Sequence, residues 1–149
     1  MSKIEVKKIT YQETFPVRSS VLRQGKPIET CFFLGDDAEE TTHFGLFKDN
    51  SLIGVASVFK VKNESFKKNI QYQLRGMAVL NEFQGLGFGN VILKKVCQFV
   101  ENENVEVLWF NARENAVPFY QNFGFTVLGN SFDIPDVGLH FLMFKYFVV

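Results

Sequence analysis

Ile4, Val6 and Ile9 stand among Lys and Glu at the start of the chain, the pattern of a short strand with one apolar face. Thr10 followed three residues later by Glu13 forms a capping box, so this strand leads into a helix. The helix carries Phe15, Val17, Val21 and Leu22, tolerates Pro16 only near its start, and ends at Gly25 and Pro27. Residues 28–41 show no legible period. Residues 43–47 and 52–61 alternate or run apolar around the turn formers Asp49, Asn50 and Ser51, which predicts a hairpin. A polar turn over residues 63–69 precedes a third strand, 70–80, giving an antiparallel meander.

Beyond Leu80 the period changes to that of a helix. Phe88, Ile92, Val96 and Phe99 share one face, flanked by Leu93 and Val100, and Lys94, Lys95, Gln98 and Glu101 cover the other. The apolar run 105–110 is too short for a helix and reads as a strand, parallel to strand 70–80 across a right-handed βαβ crossover. Residues 115–122 form a short helix closed by Gly124, and strands 125–128 and 139–148 form a last hairpin. The fold class is α/β, in fuller terms an α+β mixed sheet, mostly antiparallel, with helices on both faces.

The length of 149 residues suits one domain, 1–149, and the 46% apolar and 15% aromatic content, with 18 Phe, suits a filled core. Basic and acidic residues number 16 each, so no net field favours nucleic acid or an anionic membrane. The amino terminus lacks the apolar stretch of a signal peptide, which points to a cytoplasmic protein. The most apolar segment, FLMFKYFVV, is far shorter than a membrane span and is interrupted by Lys145. Cys31 and Cys97 have neither CxxC spacing nor a His cluster, so free thiols are expected, with no disulfide framework and no metal.

Candidate chemistry concentrates in Gln84, Gly85, Leu86, Gly87, Phe88, Gly89 and Asn90, between a strand and the periodic helix. Glycines let the backbone approach a ligand, and the helix amino terminus adds unpaired amides with partial positive charge, so a phosphate or pyrophosphate suits the position. The plain alternative is that three glycines only permit a tight turn. Asn90 and Val91 follow Gly89 where the Walker pattern needs Lys and then Ser or Thr, and Asn90 occupies the sixth position where the dinucleotide fingerprint needs glycine. What remains is QxxGxG, at Gln84, Gly87 and Gly89. A second motif, NxxxxFYxxxGF, runs from Asn115 through Phe119 and Tyr120 to Gly124 and Phe125.

These two motifs, in this order around a βαβ unit, resemble the GNAT superfamily of acyl-CoA N-acyltransferases. The resemblance covers roughly the carboxyl-terminal half and implies that fold, with acetyl-CoA as cosubstrate. It implies that the backbone of Met77, Ala78 and Val79 lies along the pantetheine arm between two splayed strands, and that the amides of Gln84 to Asn90 take the pyrophosphate. Asn115 would reach the cofactor arm and Tyr120 would face the sulfur as general acid. The implied reaction is direct attack of a primary amine on the thioester in a ternary complex. Partners are then a small-molecule or peptide amine, with no nucleic acid, no membrane and a possible homodimer. A narrower similarity, to small predicted acetyltransferases of the ElaA type, rests on Arg18 with Val21, on Asp36 and Asp37 before His43, and on Gly138, His140 and Met143. Leu139 stands where that group usually has Pro.

Each candidate has a second reading. Tyr120 could have its ring in the core and its hydroxyl at an edge, and Asn115 could cap the helix it begins. His43 and His140 lie among apolar neighbours, where a structural His is frequent; His140, on the last hairpin beside the acceptor cleft, is the better candidate for a base. Asp36, Asp37, Glu39 and Glu40 could attract a cationic amine or simply form a solvated loop. The rival functions are a catalytically idle acyl-CoA sensor or interaction module, and a nucleotide-binding regulator.

Overall fold

The computed structural model describes residues 2–147, and its backbone is organised by one seven-stranded sheet. The strands are β1 (Ile4–Ile9), β2 (Thr42–Lys48), β3 (Ser51–Phe59), β4 (Gln71–Val79), β5 (Val107–Arg113), β6 (Thr126–Ile134) and β7 (Gly138–Tyr146), in the order β1-β2-β3-β4-β5-β7-β6. Every neighbouring pair is antiparallel except β4 and β5. The expected meander and the single parallel pair are both present.

The helices cover both faces. On one, α2 (Phe88–Asn102) buries Ile92, Leu93, Val96 and Val100 against Phe44, Ile53, Leu74 and Leu108, as its 3.6-residue period requires. On the other, α1 (Tyr11–Val17) sets Val17 against Val55 and Ala78, and the loop residue Phe66 covers Val107 and Trp109. The capping box forms as read: Glu13 N–H donates to Thr10 Oγ1 at 3.2 Å and Thr10 N–H to Glu13 Oε1 at 2.9 Å. No helix among the described residues is long and apolar enough to cross a membrane.

Several boundaries differ from the pattern reading, each for a local reason. Pro16 lies at the sixth position of α1 rather than near its start, and the helix widens after Val17 into a π turn, Arg18–Leu22, closed by Arg23 N–H to Arg18 O at 2.9 Å. Strand β5 continues to Arg113 because it pairs with β7 along its whole length. Gly129, Asn130 and Ser131, which look like a turn, form a bulge between Leu128 and Phe132, and β6 continues to Ile134. The short helix α3 (Val117–Gln121) begins after a 3₁₀ turn, Glu114–Ala116, and no side chain caps either, so Asn115 is not a cap. Residue 148, the expected end of the last strand, lies outside the described residues.

The segment without period is held by an ion pair. Arg18 is fully buried and its two terminal nitrogens fork onto the carboxylate of Asp36, while Nη1 also donates to Cys31 O at 2.8 Å and Nη2 to Ser57 Oγ at 3.0 Å. Asp36 Oδ2 further accepts the Phe33 amide at 2.8 Å, which fixes the loop. Asp36 is therefore an internal counter-ion and attracts no substrate; Asp37, Glu39 and Glu40 are exposed. Removing one member of a buried pair strands the other charge, so Asp36→Ala should lower unfolding free energy by about 3–5 kcal/mol in denaturant titrations. A loss below about 1 kcal/mol, the scale of a surface pair, would contradict a structural role for this contact.

Candidate active site

Strands β4 and β5 share only three residue pairs, Gln71 with Val107, Tyr72 with Leu108 and Gln73 with Trp109, and then diverge. A bulge in β4 accompanies the divergence: Val55 pairs with Ala78 and Ser57 with Arg75, so Ala56 alone opposes Gly76 and Met77. Gly76 has φ of +66°, and a Cβ there would lie 3.0 Å from Phe33 Cε2 and 3.4 Å from Arg18 Nε. Both its conformation and its close packing require glycine. A glycine inside the strand pattern QLRGMAV was a readable sign of this bulge, and it was missed.

The divergence opens a cavity of about 470 Å³ between the strands. Met77, Phe110 and Tyr120 line it on the α2 face, where they join the main core. Strand alternation puts Gln73, Arg75, Asn111, Arg113 and His140 on the opposite face, since Arg113 pairs with His140 across β5 and β7. Leu80 N–H donates to Ile53 O at 2.8 Å, so the preceding amide, of Val79, turns toward the slot.

Tyr120 is packed on Phe110 at 4.3 Å between ring centroids and on Phe119 at 5.1 Å. Its hydroxyl donates only to the thioether of Met77, with 3.9 Å between oxygen and sulfur, and burial pushes the phenol up to about 12. In His140, Nδ1 lies 2.8 Å from Gly138 O; a carbonyl only accepts, so Nδ1 carries a proton, and Nε2 has no hydrogen-bond partner among the described residues. Arg75 stands over two rings, 5.0 Å from Phe33 and 5.2 Å from Phe59, and burial, followed by the nearby Arg18 charge, lowers it below its usual range.

The glycine loop lies between a 3₁₀ turn, Asn81–Phe83, and α2; none of residues 84–90 lines the cavity, and the loop meets it through Gly89, which lies beside Met77. Gly85 (φ +76°) and Gly87 (φ +88°) face open space, and no side chain caps α2, so no side chain satisfies its first-turn amides. Gln84 is used within the loop: Nε2 donates to Val79 O at 2.8 Å and to Asn81 Oδ1 at 3.1 Å. Gly89 packs on Phe119 and Met77. Thus Met77, Tyr120 and His140 share one cavity, with the loop beside Met77. Asn115 does not join them; it is exposed and borders a separate depression with Arg113 and Leu139. Sequence reasoning did not find Arg75, Phe33 or Arg113, and Phe33 carried no signal at all.

Comparison with known proteins agrees with this geometry. Residues 32–142 match the family model described as acetyltransferase (GNAT) domain. The chain is 34% identical over 142 residues to the uncharacterized N-acetyltransferase YitI of Bacillus subtilis, covering 95% of each. The crystal structure of the ribosomal-protein-S18-alanine N-acetyltransferase from Escherichia coli superposes with a TM-score of 0.78 over 99% of this chain and 96% of that one, at 16% identity. Escherichia coli ElaA gives 0.74 over 96% and 99%, at 15% identity, a likeness of fold. The chain belongs to the GNAT acetyltransferase family and is an N-acetyltransferase, of a class that uses acyl-CoA as cosubstrate.

His43 lies outside this cavity, in the Arg18 network. Its Nε2–H donates to Asp36 O at 2.9 Å and its Nδ1 accepts from Ser57 Oγ, 2.6 Å away, so the ring is held neutral and burial lowers its pKa below 6.5. A depressed His contributes stability that is present above the unfolded pKa of about 6.5 and is lost as pH falls below it. Between pH 7.5 and 5.5 the native protein should lose more unfolding free energy than His43→Gln, by up to about 1.4 kcal/mol per pH unit below 6.5. Parallel stability curves for the two proteins would place the His43 ring outside this linkage.

Proposed function

We propose that the protein transfers an acetyl group from acetyl-CoA to a primary amine in a ternary complex in the cytoplasm. The observation that carries this reading is the Tyr120 hydroxyl, whose one partner is a sulfur across the slot between β4 and β5. A thioester lying along the open edge of β4 brings its own sulfur to that donor. The residues fit such a ligand: Gly85 and Gly87 leave a cradle no side chain fills, and the uncapped α2 amides face it.

In this reading the Val79 amide polarises the thioester carbonyl from the slot side. An alkyl amine has a pKa of about 10.4 and arrives protonated, so His140 Nε2 takes a proton before attack. The amine nitrogen bonds to the carbonyl carbon, the carbon–sulfur bond breaks, and the second proton that the nitrogen sheds on becoming an amide goes to the departing sulfur, so CoA leaves as a thiol; the proton taken by His140 passes to solvent. With Tyr120 at about 12 and a thiol near 8.5, full transfer of the phenolic proton is uphill by roughly 5 kcal/mol. Tyr120 therefore serves mainly as a hydrogen-bond donor to the sulfur as charge develops there. Peptide amino termini remain within the acceptor class, since a relative of the same fold is a ribosomal-protein alanine N-acetyltransferase.

Acetyl-CoA at roughly a hundred times its dissociation constant should stabilise the fold by about 2.7 kcal/mol, raising Tm by about 5–10 °C. Gly87→Asp should remove that shift by placing a carboxylate in the cradle; a shift that is absent, or that survives the substitution, contradicts the site.

Turnover, read as free-thiol release, separates an enzyme from an idle sensor. Tyr120→Phe and His140→Ala should each lower kcat by about ten- to a hundredfold with acetyl-CoA affinity nearly kept, the mark of interactions made in the transition state. Unchanged turnover would remove the residue concerned from the chemistry, and a parallel loss of affinity would make it a binding residue.

A further inference from the structure

Arg75 forms no ion pair among the described residues and its guanidinium makes no hydrogen bond to them, although it is half-buried and lines the cavity. The acidic side chain buried on this face of the sheet, Asp36, has both oxygens on Arg18 and one also on the Phe33 amide. Phe33 and Phe59 hold the guanidinium, and contact with aromatic rings returns part of the cost of desolvation but supplies no negative charge. The fork of donors is thus left for something that enters the cavity.

Its position suggests what that is. Arg75 projects on the same face of the splayed sheet as His140, opposite the face on which α2 and the glycine loop lie, and the exposed Arg113 stands beside His140 in register. A molecule whose amine approaches His140 Nε2 has its other end toward one or both guanidinium groups. Among the described residues no carboxylate lines the cavity to hold a second cation, so a simple diamine finds no partner for its far end.

We propose that the acceptor is an amine that also bears a carboxylate, an amino-acid-like molecule, and that Arg75 is the residue that recognises the carboxylate. This rests on the reading of the slot as an acetyl-transfer site. A charge-assisted fork of this kind gives about a 10- to 100-fold preference for an acid over its neutral amide.

The test is to assay the twenty L-amino acids and their carboxamides as acceptors by free-thiol release from acetyl-CoA, with native protein, Arg75→Gln and Arg75→Lys. At least one free acid should be acetylated with kcat/KM about 10- to 100-fold above that of its carboxamide. Arg75→Gln should abolish the preference mainly by raising KM for the acid, with kcat little changed, and Arg75→Lys should retain part of it. The thermal shift with acetyl-CoA should persist in both variants, showing that they fold and bind. Carboxamides used as well as acids, or a preference that survives Arg75→Gln, overturns the proposal. So does a complete absence of turnover with every free acid while acetyl-CoA still stabilises the protein, a result that leaves the cosubstrate site standing. If that stabilisation is absent as well, the acetyl-transfer reading falls with it.

Discussion

The pairing of β4 with β5 ends at Gln73 and Trp109, and the architecture of the site follows from that interruption. A sheet hydrogen-bonded throughout would have no slot, no free amide on the β4 edge and no passage between its faces. The interruption is held open by the Gly76 bulge, behind which Phe33 and Arg18 occupy the space a side chain would need. Arg18 is in turn fixed by Asp36, and Asp36 holds the Phe33 amide. One buried ion pair therefore shapes the strand that borders the slot, and through Phe33 it also holds Arg75. The pair contributes little net stability for its burial, but its arrangement leaves few alternatives for the loop it anchors.

The two faces of the sheet divide the work. On the α2 face the groups suited to the cosubstrate are mostly main-chain: the Val79 amide, the loop amides and the glycines that expose them. On the other face the groups are side chains with charge or a lone pair, namely Arg75, Arg113 and His140. Tyr120 and Met77 stand on the first face beside the slot that joins them.

This division also explains what the sequence disclosed. The α2 period, the Thr10 to Glu13 box and the meander turns are local patterns with local causes, and they appear as expected. The glycine loop and the Asn115 to Phe125 motif are contiguous patterns that carry the resemblance, and both lie within the stretch that matches the family model. Residues 28–41 carried no period, because they form one short 3₁₀ helix, Ile28–Cys31, followed by turns, and are tied to Arg18 by contacts 13 and 18 residues apart in sequence. Arg75 is one polar residue of strand 70–80 in the sequence; that no carboxylate among the described residues forms an ion pair with it is a property of the assembled sheet. Gly129 to Ser131 had the composition of a turn and formed a bulge, since pairing with β7 resumes at Phe132.

The central claim is that the glycine loop and the open edge of β4 together receive acetyl-CoA. Amide hydrogen exchange with and without saturating acetyl-CoA measures this directly, because it reads the backbone groups themselves. The account predicts slower exchange at residues 85–91 and at Val79 on addition of the ligand, with little change in β1 and β2. Exchange at the loop and at Val79 that is the same with and without acetyl-CoA would contradict it.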